Sequence, residues 1–250
     1  MKPSELKAEA ERQRLAPKAQ AITVGDELAG DQYARKDWQA RIEAGDVVLS
    51  GLAAAHRQFF NYHRDLREAF DRRDPELTPD AHFMAIKRLG EQTLARAGQA
   101  SDAARERAEG ELTAIRASLQ TQLGLTETHR AGEIRAMLRG ATDKDRSAIL
   151  QAAVTAMDGE TVAAVIEAPA YLSGLTAEQA QALRTQYERT HGGDLPARAD
   201  ALDRAIAVNR KAALQALQFQ GALLPAERAR EIEARQQAAR AMRERLATGG

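Results

Sequence analysis

Cysteine is absent from this 250-residue chain, which removes disulfides and thiolate metal ligands at once. Aromatic residues are scarce, at 4%, so the core has few large rigid anchors. Formal net charge is zero, with 36 basic and 36 acidic residues. That balance argues against a protein that coats nucleic acid by counterion release. Long apolar runs are missing too: the longest, VVLSGLAAA (Val47 to Ala55), is far too short to span a bilayer. The N-terminal stretch MKPSELKAEAERQRLAPK is charged from its start and has no apolar centre, so it does not read as a signal peptide. A protein of the cytoplasm is expected, unless a larger assembly carries it out.

What is present is helix-forming. About a fifth of the chain is Ala, and Arg, Glu, Gln and Leu outnumber Val, Ile and the aromatics, a mixture that favours helix over strand. The hydrophobic fraction, 44%, suffices for a core. Alanine buries little area, however, so each contact is worth less than one made by Leu or Phe. Long, close helix–helix contacts or partner subunits are the expected remedy. Charge is unevenly spread: Asp143 to Asp203 holds ten acids and five bases, and Arg204 to Lys211 holds three bases and no acid. Such a distribution permits head-to-tail contact between unlike patches of identical subunits, although solvated charge is the default reading.

The fold expected is all-α, with long helices in a hairpin or bundle and a small compact helical subdomain. Residues 1–25 read as a polar arm, with a short helix over 4–20 broken at Pro17 and no clear apolar face. Residues 26–125 form a long-helix region. A loop or hinge at Ile22 to Asp31 leads into a helical pattern from Lys36 to Arg73, with interruptions near Gly45 and Gly51. Leu52, His56, Phe59, His63, Leu66 and Phe70 make one seam along it. DPELTP (Asp74 to Pro79) stops the helix, because two prolines in six residues cannot continue it. The longest element follows, Asp80 to Leu123, roughly 65 Å at 1.5 Å per residue. Its heptad-like stripe runs from Ile86, Gly90 and Thr93 through Ala97, Ala100, Ala104 and Ala108 to Leu112, Ile115, Leu119 and Leu123. Gly90, Gly98 and Gly110 each cost about 1 kcal/mol relative to Ala, which makes sense if the seam needs close backbone approach.

Residues 126–195 read as the compact subdomain. Thr126 caps a helix stopping at Gly140; Thr142, with Asp145 three residues on, opens one stopping at Gly159; a short turn passes through Val162, Val165 and Ile166. Thr176 with Gln179 forms a capping box opening a helix that ends at His191-Gly192-Gly193. Residues 196–250 hold the second long pattern, starting at Pro196 in the favoured first turn. Leu202, Ile206, Ala213, Leu217 and Leu224 lie along one side; GALLP (Gly221 to Pro225) bends or breaks it; a charged helix follows with Ile232, Ala239, Met242 and Leu246 as a thin stripe.

Chemistry-bearing patterns are few. His56 and His63 lie seven residues apart, about 10 Å along a helix, too far for one metal ion, and read as hydrogen-bonded seam histidines. His129 and Glu133 have helical spacing but read as a surface pair. The carboxylates of DRRDPE (Asp71 to Glu76) and TDKDRS (Thr142 to Ser147) sit where helices end or begin, where capping explains them. There is no phosphate-cradling glycine loop, nucleophile elbow or histidine cluster, so no catalytic, cofactor-binding or metal-binding residue is assigned and no cofactor is expected. The arginine runs HRDLREAFDRR and ERAREIEARQQAARAMRER are interleaved with acids, as exposed i, i+4 pairs are. The most distinctive stretch is VIEAPAYLSGLTAEQ (Val165 to Gln179). Pro169 ends one helix, Gly174 turns the chain and Thr176 caps the next. Tyr171, Leu172 and Leu175 would either plug the corner from beneath or project as a partner-binding knob.

Residues 133 to 206, with their "VIxAPxxLSGL" corner, "LRxxY" helix and "ARxxALxxAI" helix, resemble functionally uncharacterised helical proteins encoded in tailed-phage and prophage genomes. The resemblance covers about a third of the chain and carries no catalytic residue. It implies a virion structural or assembly protein, of the portal, head–tail region or head interior. Such a protein would sit in the host cytoplasm during assembly and in the particle if retained. The partners would be further copies of itself and other virion proteins. A transient scaffold and a nucleic-acid-binding helical regulator are the alternatives.

Overall fold

In the computed structural model, the described residues are 28, 32–34 and 36–248. The polar arm and the Ile22 to Asp31 hinge lie, but for Leu28, outside them. Among the described residues the fold is all-α. A 3-10 turn, Gln32–Ala34, precedes α1 (Lys36–Glu43), α2 (Val47–Asp71) and α3 (Pro79–Gln122). Four shorter helices follow, α4 (Ala131–Gly140), α5 (Asp143–Thr155), α6 (Gly159–Ile166) and α7 (Ala177–His191), with a 3-10 turn at Ala170–Ser173 before α7. The chain ends in α8 (Leu195–Leu223) and α9 (Ala226–Thr248). No described helix is long and apolar enough to cross a membrane.

Two compact units emerge: Met1–Glu106 with Ala205–Gly250, and Arg107–Arg204. In the first, the long helices pack together. Phe59, Tyr62 and Leu66 of α2, Phe83, Ile86 and Ala97 of α3, Ala212, Ala216, Phe219 and Leu223 of α8, and Ala229 and Ile232 of α9 form one buried cluster with Leu28. Asn209 fixes which face of α8 turns inward. Its buried Nδ2 donates to the Tyr33 hydroxyl at 2.6 Å and to the Leu52 carbonyl at 3.2 Å, and Tyr33 donates in turn to the Ala205 carbonyl. The predicted side is buried at Leu202, Ile206 and Leu224 and half-buried at Ala213, but Leu217 is 59% exposed, its place in the packing being taken by Ala212, Ala216 and Phe219.

Helix boundaries follow local chemistry. Gly45, at φ +91°, breaks α1 from α2, and Asp46 caps α2 by accepting from the Leu49 N–H at 3.0 Å. Gly51 stays inside α2. In the second unit Thr142 and Asp158 cap α5 and α6. Two predicted signals fall differently. Arg130, not Thr126, precedes α4, and makes no side-chain cap, because residues 123–126 close a backbone turn of their own around buried Leu125. Gly159 starts α6 instead of stopping α5, which ends at Thr155. A Cβ on Gly159 would overlap the carbonyls of Leu123 and Gly124, so glycine serves close approach there, not helix termination. Tyr187 Oη seals the same junction by donating to the Leu123 carbonyl at 3.1 Å.

The α3 seam, for which composition predicts a partner subunit, is largely covered by the chain itself: Ile86, Gly90, Ala97, Ala104, Ala108, Leu112, Ile115, Leu119 and Leu123 are buried, and Thr93 and Ala100 half-buried. Of its glycines only Gly90 sits in close quarters, with Leu66 and Tyr62 within 3.6 Å of a would-be Cβ. Gly98 and Gly110 face nothing within 4 Å, so close approach does not explain them.

Candidate docking surfaces

The corner from Val165 to Gln179 is built as a braced turn. Pro169 enters it at φ −53° and Gly174 leaves it at φ +74°, a conformation that side chains with a Cβ resist. Thr176 and Gln179 then exchange the two hydrogen bonds of a capping box. Arg146, reaching across from α5, binds three carbonyls: Leu138 at 2.9 Å, Ala141 at 3.0 Å and Gly174 at 2.7 Å. One guanidinium thereby ties the end of α4 to the corner. The apolar plug is smaller than predicted. Ser173 is fully buried and bonds the Ala170 carbonyl, and Leu172 and Leu175 are half-buried. Tyr171 is not part of it: the 3-10 turn points its ring outward, 71% exposed.

A polar groove of about 620 Å³ lies in the same unit, between α3, α7 and the start of α8. Its charges pair across the helices: Arg116 with Asp203 at 2.9 Å, Arg184 with Glu167 at 2.9 Å, and Arg189 with Asp200 at 3.5 Å. Burial, with Asp200 nearby, pushes the Glu188 carboxyl up despite neighbouring Arg184. These residues are scattered over three helices and the end of α6, among many similar Arg and Glu, and no local pattern in the sequence marks them as a group.

In the first unit, α2 and α3 enclose a less polar groove of about 470 Å³. Gly90, Thr93 and Ala97 keep its floor low, Leu66 and Tyr62 form one wall, and Leu89, 59% exposed, stands at its lip. The Tyr62 hydroxyl is buried without a hydrogen-bond partner among the described residues, and burial together with Glu91 holds the phenol firmly protonated. Asp65 and Arg96 sit on the rim.

The seam histidines part ways. His56 is fully buried beside the Tyr33 ring, at 5.4 Å between centroids. His63 departs from the hydrogen-bonded expectation: its Nε2 is buried and unpartnered, because the ring packs edge-on against Phe219 at 4.4 Å. Burial, then Arg67, hold its pKa below the ordinary value. His129 and Glu133 are both exposed. Among the described residues no group of three or more His, Asp or Glu is placed to hold a metal.

The last feature is α9. Its first half is anchored: Ile232 is buried, Arg228 stacks on the Phe83 ring at 4.4 Å, and Arg235 bridges to Asp80 at 3.1 Å. Advancing along α9 from 228 to 235 retreats along α3 from 83 to 80, so the two run antiparallel, and α3 begins at Pro79. Beyond that point no described residue buries α9, and every side chain from Glu233 to Thr248 is exposed. Of the thin stripe read from sequence only Ile232 is buried; Met242 is 59% and Leu246 75% exposed.

No protein-family model, no curated protein and no solved structure matches the chain.

Proposed function

We propose that this protein is an assembly component that works by docking its helices against other copies and other proteins, with no reaction of its own. One observation carries the reading: α9 continues for sixteen residues, Glu233 to Thr248, as helix with no side chain buried. Most helical stability in proteins comes from packing an apolar face, which this extension lacks, so a partner surface that takes its Ala239, Met242 and Leu246 stripe would supply the missing stabilisation. The exposed Tyr171 ring is a second knob of the same kind. Because the α3 seam is filled from within, the motive for assembly moves from α3 to α9.

The setting we propose is the particle of a tailed phage, in the portal, head–tail region or head interior; its support is the resemblance over residues 133–206. Light scattering on the purified chain at tens of micromolar tests the self-assembly: a multimer is expected, and a monomer at every concentration sinks it. Mass spectrometry of finished particles separates a retained component from a transient scaffold, which would be missing.

A nucleic-acid-binding regulator keeps a place for one reason. Arg240, Arg243 and Arg245 make no ion pair among the described residues. Titrating a DNA duplex at low salt decides it, because binding through three arginines must weaken steeply as salt rises.

A further inference from the structure

We infer that the α2–α3 groove is a binding site for a small amphipathic carboxylate, a free medium-chain acid with its head at Arg96 and its chain laid along Leu66 and Leu89. The inference stands apart from the assembly reading and needs no second copy.

The groove is graded along its length. α2 and α3 are joined by the short break over residues 72–78 and run antiparallel, so that Gly90 faces Tyr62 and Leu66. Toward one end α2 supplies Gln58 and Asn61 and α3 supplies Thr93 and Arg96. Toward the other stand Leu66 and Ala69 of α2 with Ile86 and Leu89 of α3. A few polar groups gathered in a largely apolar concavity are what orients a small molecule. The volume, about 470 Å³, suits such a ligand. Leu66 and Leu224 pack against Gly90 and close the floor, which leaves room for a slender chain and not for a helix. From Ile86 to Arg96 the groove follows α3 for about 15 Å at 1.5 Å per residue, roughly the length of an extended ten-carbon acid.

Two donors at the polar end lack acceptors among the described residues. Tyr62 is 4% exposed, and its hydroxyl, lying against Gly90, has no hydrogen-bond partner there; a buried donor left unmet is costly. Arg96 makes no ion pair among the same residues, and its Nη2 reaches only the Thr93 hydroxyl, at 3.4 Å. One carboxylate satisfies both, as acceptor for the phenol and as planar partner for the guanidinium. The acids alongside are already engaged, Asp65 with Arg64 at 2.9 Å and Glu91 with Lys87 at 2.6 Å. Leu89, 59% exposed at the lip, gains cover when an apolar chain lies beneath it.

Titration calorimetry with sodium decanoate below its micelle concentration tests this, with decyltrimethylammonium as the same tail under a cationic head. Wild type should bind one decanoate per chain and the ammonium roughly tenfold more weakly or worse. Octanoate should lose roughly fivefold or more, since each methylene taken out of water contributes up to about fourfold. Arg96→Glu should reverse the preference between the two heads, and Leu89→Ser should weaken both ligands. Both side chains are exposed, so these variants should keep the wild-type circular dichroism. Tyr62→Phe should weaken decanoate by about threefold or more without lowering the melting temperature, because the hydroxyl gives up no bond to the described residues. Whatever the fate of the variants, the Gly90 and Thr93 peaks in the amide correlation spectrum of the wild type should shift saturably with decanoate. Absence of saturable binding, equal affinity for both heads, a preference that survives Arg96→Glu, or shifts confined to another surface overturns the inference.

Discussion

Arg146 Nη1 donates to the carbonyl oxygen of Gly174 at 2.7 Å, twenty-eight residues away. The same side chain binds Leu138 and Ala141 and is only 13% exposed. Three carbonyls from two separate turns depend on one planar donor.

Replacing Arg146 by Ala should therefore destabilise the protein by about 2–4 kcal/mol, since hydrogen bonds to charged groups contribute more than neutral ones and half-buried carbonyls are left unmet. Lysine should recover little, because a point charge cannot reproduce the fork. Urea denaturation of both variants measures this. If the Lys variant matches wild type, the bracing account is wrong.

Glycines in apparently similar helical settings should respond in opposite directions. Gly98→Ala meets nothing within 4 Å and should stabilise by up to about 1 kcal/mol through helix propensity. Gly159→Ala drives a methyl into the Leu123 and Gly124 carbonyls and should cost about 3 kcal/mol or more. A pair of thermal melts decides it, and equal shifts would contradict the geometry.

Acid should act in two windows. His63 has a lowered folded pKa, so as pH falls through the ordinary histidine range the unfolded chain takes up a proton that the folded one refuses, and stability drops. His63→Gln should flatten the loss between neutral pH and about pH 5.5. Glu160 is the opposite type: hydrogen bonds from Thr128 and Arg130 lower its pKa, so its contribution is complete above the usual carboxylate range and vanishes as pH falls through the depressed value. Stability curves of His63→Gln and Glu160→Gln should accordingly diverge from wild type at different pH.

Deleting residues 236–248 should leave the melting temperature within about a degree or two, the expectation for exposed side chains that contribute under about 0.5 kcal/mol, while ellipticity at 222 nm declines. A large fall in melting temperature would mean that α9 is supported along its whole length.

The parts of the fold legible in the sequence are those written in local chemistry. The Asp74 to Pro79 break, the Thr142 cap and the Thr176–Gln179 box depend on neighbours within a turn, and each stands where the residues place it. What was not legible depends on distant partners. On an Ala-rich helix such as α8, Leu marks the inner face only in part: Leu202 and Leu223 are buried, Leu214 and Leu217 are not. The buried Asn209 network and close packing of Ala212 and Ala216 choose it, and Leu217 is left outside. Tyr171 reads as a plug in a corner motif, but a 3-10 turn rotates it outward. Gly159 looks like a helix stop because the carbonyl it must clear, at Leu123, comes thirty-six residues earlier. The polar groove is illegible for a related reason: its Arg and Glu differ from dozens of solvated ones only in where the helices bring them.

The bare final turns of α9 also make it an easy target. Arg240, Arg243 and Arg245 stand on a rod with no packed face, so among the described helices trypsin should cut there before it cuts the packed ones. Shielding of those three bonds on raising protein concentration would give a gel-based occupancy gauge, readable without any label.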